Sequence, residues 1–341
     1  SVTGESTSIA LHEGATESSM HHHAKRREST LMKIGILGYG SYVPRLRLNR
    51  KAVVEANAWY APQFASKAKG TRAIANWDED SITMAVAAAR DCLGTSDDRS
   101  HVKALYLASS TLPFAERLNA GVVREALTLG RGIDVLDTTG SQRVALSALS
   151  EAMARVKAEE GNALVLAADS RKTRAASSAE LDFGDGGAAL LIGSGNILAE
   201  YLGSATVSVD FVDHFRLAGE DIDYSWEERW IRDEGIGKLV PEAIAAALKN
   251  CGIGADNVDH FIFPSTFAKI DEQLAKSCGI NPENVVDNLM PQVGDTGVAH
   301  PLLLLARVLE TAKPEQHILM AQFGSGAQAF VFRVTDAIKS F

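Results

Sequence analysis

Two turns of small polar residues, Asp137-Thr138-Thr139-Gly140 and Asp295-Thr296-Gly297, each open a long apolar stretch with helical spacing. A ligand reaching such a turn meets hydroxyls and a carboxylate at the positive end of a helix dipole. A Thr or Ser hydroxyl has a pKa far above that of a thiol, so attack by one needs a neighbouring base. Two histidines stand as candidates: His300, five residues after Asp295, and His214, in an irregular stretch farther upstream. Thr139, His300 and Asp295 would then act together; a structural role is the other reading of each histidine. The cysteines, Cys92, Cys251 and Cys278, are odd in number and widely spaced, forming neither a metal-ligand pair nor a disulfide framework. Buried thiols in a reducing cytoplasm are what that pattern implies.

The elements that hold these turns come in two copies. Phe183–Ile192 reads FGDGGAALLI and Phe323–Phe332 reads FGSGAQAFVF, 140 residues apart and aligned without a gap. Each follows an apolar strand, LVLAA at 164–168 and ILMAQ at 318–322, and each half has an Ala-rich helix ending in Cys with Gly close behind, at Cys92 and Cys251. The chain is a degenerate tandem duplication, and a duplicated α/β unit places its ligand where the halves meet.

Apolar strands alternating with helices predict mixed sheets covered on both faces. Strands are expected at 33–38, 102–108, 133–136, 163–168, 187–193, 198–208, 260–264, 317–323 and 328–334. Helices are expected at 48–59, up to Leu93 behind the acidic stretch Asp78-Glu79-Asp80, and at 116–129, 141–160, 234–250, 268–278 and 296–312. Residues 1–32 read as a disordered extension, 33–195 as the first half and 196–341 as the second. An irregular insert at about 209–232 carries Trp226 and Trp230, two of the four tryptophans. It is either a solvated connector or a lid or subunit-contact segment.

The 341 residues are 46% hydrophobic and 23% charged, which suits a globular chain with a large core. A net charge of −9 and the lack of a basic stripe interleaved with aromatics argue against nucleic acid as a partner. No run reaches the roughly 18 apolar residues that a membrane span needs, so no membrane is expected. His21-His22-His23 reads as an incidental run.

Four segments in order, GYGSYVPRLRL, GTRAIANWDEDSITMAVAAARDCL, FGDGGAALLIG and the pair VGDTGVAHPLLLLARVL and MAQFGSGAQAF, give the chain a resemblance to the thiolase superfamily over nearly all of 33–341. It is most similar to the 3-hydroxy-3-methylglutaryl-CoA synthase and ketoacyl-ACP synthase III branch. The resemblance implies a five-layer αβαβα fold and carbon–carbon bond chemistry on acyl groups carried by CoA or acyl carrier protein. It also implies a Cys nucleophile at a helix N-terminus, with a His and an Asn from the second half. The family Cys position falls on Thr139, the His on Ser265 in IFPSTFAKI, the Asn on Asp295 in VGDTG, and the synthase Glu on Ser110 in LASST. The glycine-rich oxyanion-type turn is retained as Gly324-Ser325-Gly326.

With these positions changed, the resemblance points to a Cys-less accessory subunit of a heteromeric acyltransferase or thiolase complex. The phloroglucinol acetyltransferase type of complex is the model: a Cys-bearing thiolase and a small zinc-ribbon/OB-fold subunit as partners, or a homodimer. No permanently bound cofactor is expected, with a CoA thioester as the substrate if there is one. The alternatives are an acyl-CoA-dependent transferase or aldolase-type enzyme with altered residues, and an acyl-CoA-binding module.

Overall fold

Strand order shows the duplication directly. In the computed structural model, which describes residues 32–159 and 161–341, the strands are β1 (Gly35–Tyr42), β2 (Leu46–Asn49), β3 (Thr71–Ile74), β4 (Val102–Ala108), β5 (Asp134–Thr138), β6 (Asn162–Asp169), β7 (Gly186–Gly193), β8 (Ala199–Ser208), β9 (His214–Phe215), β10 (Tyr224–Ser225), β11 (His260–Ile262), β12 (His317–Phe323) and β13 (Gly326–Val334). The extension expected at the N-terminus and the triple-histidine run lie outside the described residues. Nine strands form a ladder in the order β11-β12-β13-β8-β1-β7-β6-β4-β5. Its two parts meet only where Gly35 and Ile36 of β1 pair with Glu200 and Ala199 of β8.

Each part has the same wiring. In the first, β4 runs parallel to β6, which pairs antiparallel with β7, which pairs antiparallel with β1. In the second, β11 runs parallel to β12, which pairs antiparallel with β13, which pairs antiparallel with β8. The first part adds β5 beside β4, and the second has only a parallel bridge between Phe261 and Val285 at that place.

The apolar runs are continuous because these strands are covered on both faces. Along β6, Val165 turns inward to a core shared with the helices Val144–Ala158 and His300–Leu309, while Leu164 and Leu166 turn outward to the helices Ser81–Leu93 and Asn119–Ala126. Along β12, Met320 enters the same shared core, and Leu319 faces the helices Gly237–Cys251 and Ile270–Ser277. Outer helices, sheet, central helices, sheet, outer helices are the five layers expected, and Lys33–Phe341 forms one compact unit.

Helix starts depart from the periodicity where side chains or turns from elsewhere intervene. The helix expected from 116 begins at Asn119, because the Asp137 carboxylate at the end of β5 accepts from the backbone N–H groups of Asn119 (2.9 Å) and Ala120 (2.7 Å). The helix expected from 48 begins at Arg50 after β2, with Asn49 as its cap. The central helix expected from 141 begins at Val144, since Ser141 is drawn into a contact with the other half. Asp80 caps the helix Ser81–Leu93 through a capping box with Thr83.

That outer helix lies directly on β1. A Cβ at Gly40 would sit 2.3 Å from the Cys92 nitrogen and 2.4 Å from the Ala88 carbonyl oxygen, so only glycine fits. Burial pushes the Cys92 thiol up to about 12. We expect Cys92 to resist thiol reagents at pH 8 in the native chain. Gly40→Ala should lift the helix, destabilise the chain by roughly 1–3 kcal/mol in denaturant titration, and make Cys92 reactive.

Candidate functional site

The glycine-rich turn of each half docks on the helix-opening turn of the other. Gly324 offers its carbonyl to Ser141 Oγ (3.0 Å) and Arg143 Nε (2.9 Å). A Cβ at Gly324 would meet Ser141 Oγ at 2.9 Å and the backbone nitrogens of Arg143 and Gln142 at 3.0 and 3.1 Å. Reciprocally, Gly184 N donates to the Asp295 carbonyl (2.8 Å) and Asp295 N donates to the Asp182 carbonyl (2.7 Å). A Cβ at Gly184 would lie 2.1 Å from the Val293 carbonyl oxygen.

Between the first pair of turns lies a cavity of about 590 Å³. Thr139, Gly140, Ser141 and Gln142 form one wall, Ser110 a second, and Gly324 and Ser325 a third. The roof is the insert, contributing residues 210–216, Asp223 and Trp226. The insert, for which a connector or a lid or subunit-contact segment is expected, thus lines the cavity. Its β9–β10 hairpin is tied down by Arg216, which pairs with Asp223 Oδ1 (2.6 Å) and donates to the Ser110 carbonyl. No cysteine lines the cavity among the described residues: Cys92 and Cys251 belong to outer helices and Cys278 follows another.

Of the residues singled out from sequence, the structure brings Thr139, Ser110, Gly324 and Ser325 together. Gly326, Ser265, Asp295 and His300 are not part of the lining. Ser265 accepts from the Phe267 backbone nitrogen at 3.1 Å, closing its own turn. Asp295 pairs with the buried Arg171 at 3.0 Å, and the same guanidinium lies 3.7 Å above the Phe183 ring. Burial raises the Asp295 carboxyl, but the charge and hydrogen bond of Arg171 outweigh this and hold it below the usual range. Next to this pair the buried Asp169 accepts from Ser110 N (2.7 Å), Ser110 Oγ (2.9 Å) and Val298 N (3.1 Å), locking the loop after β4 to the second half.

The two histidines have opposite fates. His300 is fully buried; its Nδ1 accepts from Thr296 N (2.9 Å) and its Nε2 donates to the Asn288 carbonyl (2.8 Å). Both ring nitrogens are therefore committed to holding the Asp295–Ala299 turn, which leaves none to serve Thr139. Burial drives its pKa down. His214 lines the cavity, with Nδ1 2.8 Å from Asp213 Oδ2 and Nε2 3.5 Å from the Gln142 amide nitrogen. Burial pushes its pKa down, but the hydrogen bond and charge of Asp213, helped by Asp223, outweigh that and leave it raised. Asp213, Gln142, Arg216 and Asp223 were not foreseen as site residues. The only sequence signal was the adjacency Asp213-His214 within an aromatic, charged insert.

Comparison with known proteins agrees with this architecture. Residues 248–334 match the model for the 3-oxoacyl-[acyl-carrier-protein] synthase III C-terminal domain. The chain is 30% identical over 321 residues to a hydroxymethylglutaryl-CoA synthase of Archaeoglobus fulgidus, covering 90% of this chain and 91% of that one. Among solved structures, 3-oxoacyl-(acyl carrier protein) synthase III from Pseudomonas aeruginosa superposes with a TM-score of 0.77 at 20% identity, covering 89% and 98% of the two chains. An HMG-CoA synthase complexed with CoA does so with a TM-score of 0.77 at 20% identity, covering 91% and 84%. The fold is that of the thiolase superfamily, and within it the chain belongs to the hydroxymethylglutaryl-CoA synthase family. Among the described residues no helix is long and apolar enough to cross a membrane, and no cluster of side chains could hold a metal ion.

Two outcomes follow from this electrostatics. Asp295→Asn leaves the buried Arg171 without its anion and should cost roughly 3–5 kcal/mol, read as a lower urea midpoint with unchanged slope. By NMR, His214 should titrate above the ordinary histidine value and His300 below it. The raised His214 contributes stability that is present below the unfolded histidine pKa and is lost as pH rises through its folded value. Asp213→Asn should lower that value.

Proposed function

We propose that this chain receives a CoA thioester in the Thr139 cavity without forming an acyl-enzyme, and that it serves as a Cys-less accessory subunit beside a Cys-bearing thiolase. The observation that supports this reading is the cavity itself: Thr139, onto which the resemblance carries the family nucleophile, lines it, and no cysteine does among the described residues. The positions corresponding to the family His and Asn hold Ser265 and Asp295, whose polar atoms are engaged elsewhere. A CoA-bound relative with the same fold supports the choice of ligand.

The assembly half of the reading is supported by β5. It is the end strand of the ladder, with Leu136 46% exposed on it and Phe114 and Leu118 exposed on the segment that leads to its neighbouring helix. The open edge of an end strand with exposed apolar side chains beside it invites a covering partner. A second copy or a thiolase subunit, with a zinc-ribbon/OB-fold protein completing the complex, would cover it. Three free thiols suit a reducing, cytoplasmic setting. A second reading, an acyl-CoA-dependent transferase that works without a covalent intermediate, is favoured by the Asp213–His214 pair beside Thr139.

The test is intact-protein mass spectrometry after incubation with acetyl-CoA and longer acyl-CoAs, followed by reconstitution. The chain should remain unmodified and should co-purify with a Cys-bearing thiolase. A stable acyl adduct on Thr139 would overturn the reading.

A further inference from the structure

Asp223 is the member of the cavity lining whose chemistry is unfinished. Its side chain is 7% exposed, its Oδ1 is held by Arg216 at 2.6 Å, and its Oδ2 is buried with no hydrogen-bond partner. Among the described residues, five other buried side-chain atoms share that condition, on Arg50, Arg72, Arg99, Arg171 and Gln322, and none of these residues lines this cavity. A buried carboxylate oxygen without a donor is costly unless a ligand supplies one. His214 lines the same cavity. When Asp213 Oδ2 accepts its Nδ1–H, the Nε2 lone pair has only the Gln142 amide nitrogen as a donor, at a long 3.5 Å. Two residues with acceptor atoms thus line one polar cavity, and a ligand with two O–H donors matches them.

We propose that the cavity binds a small molecule with more than one hydroxyl as an acyl acceptor, one O–H donating to Asp223 and another to His214, and that His214 is the general base for its attack on a CoA thioester. This rests on the reading that the cavity receives the thioester. His214 Nε2 takes the hydroxyl proton as the oxygen bonds to the thioester carbonyl carbon. The C–S bond then breaks with its electron pair on sulfur, and the proton passes from His214 to the departing CoA thiolate. The products are an ester and free CoA, with no oxidant or reductant needed. Thr139, in the cavity wall, can donate to the carbonyl oxygen as it gains charge. Asp213 orients the ring and stabilises its cationic form during the transfer.

Acetyl-CoA with water, the smallest molecule carrying two O–H donors, and with glycerol provides the assay on the full chain. Released CoA thiol and glycerol ester are measured, with acetyl-CoA binding followed by calorimetry. Release should exceed the buffer rate in water and rise with glycerol, yielding the ester. His214→Gln should lower release by about 10²-fold or more while acetyl-CoA still binds, and Asp223→Asn should raise KM for glycerol more than it lowers kcat. If the wild-type chain binds acetyl-CoA but releases no CoA above buffer, or His214→Gln matches it, the inference is overturned and the thioester reading stands. If acetyl-CoA does not bind, both fail. Ethylenediamine accepted in place of glycerol would overturn the hydroxyl assignment.

Discussion

The structure depends on a reciprocal docking of turns. Each FGxG turn leaves the sheet of its own half and seats against the helix-opening turn of the other, Gly324 on Ser141 and Arg143, Gly184 on Val293 and Asp295. At Gly184 a single methyl group would collide with the Val293 carbonyl oxygen, and at Gly324 it would crowd Ser141 Oγ and two backbone nitrogens of the opposite half. Backbone approach at that distance is what glycine permits. The two central helices are thereby held with their N-terminal turns at the junction of the halves, and the cavity is the space left beside one of them.

The second crossing is closed and charged, the first open and polar. At the closed crossing Arg171 pairs with Asp295, while Asp169 and His300 are held by the Ser110, Val298 and Thr296 backbone N–H groups, so these side chains fix geometry. At the open crossing the carboxylates come from the insert, and one of their oxygens remains unpartnered. The same residue type, histidine, is held as a neutral structural group in one place and biased toward its cation in the other. The difference is set by which groups reach its ring nitrogens.

The layered fold was legible because duplication and continuous apolar strands are local patterns: β4 and β12 begin and end where the apolar runs do. Half of the cavity was legible for the same reason, since Thr139, Ser110, Gly324 and Ser325 sit at the ends of those strands. Helix starts were less so. Asp137 caps a helix that lies before it in sequence, and Ser141 is withdrawn from its helix by Gly324 of the other half. The roof was not legible at all. The insert has no periodicity, and nothing in the order of Asp213, His214, Arg216 and Asp223 announces that Arg216 ties Asp223 to the Ser110 carbonyl. Such positions are set by tertiary contacts and not by local propensity.

The central claim is that the crossing beside Thr139, roofed by the insert, is the thioester site. Hydrogen–deuterium exchange of the full chain with and without a saturating acyl-CoA tests it most directly. Slowed exchange concentrated in residues 139–144, 210–226 and 323–326 is the predicted result. Unchanged exchange in those segments, or protection confined to the separate cleft formed by Tyr42, Arg45, Asn76 and Glu79, would contradict it.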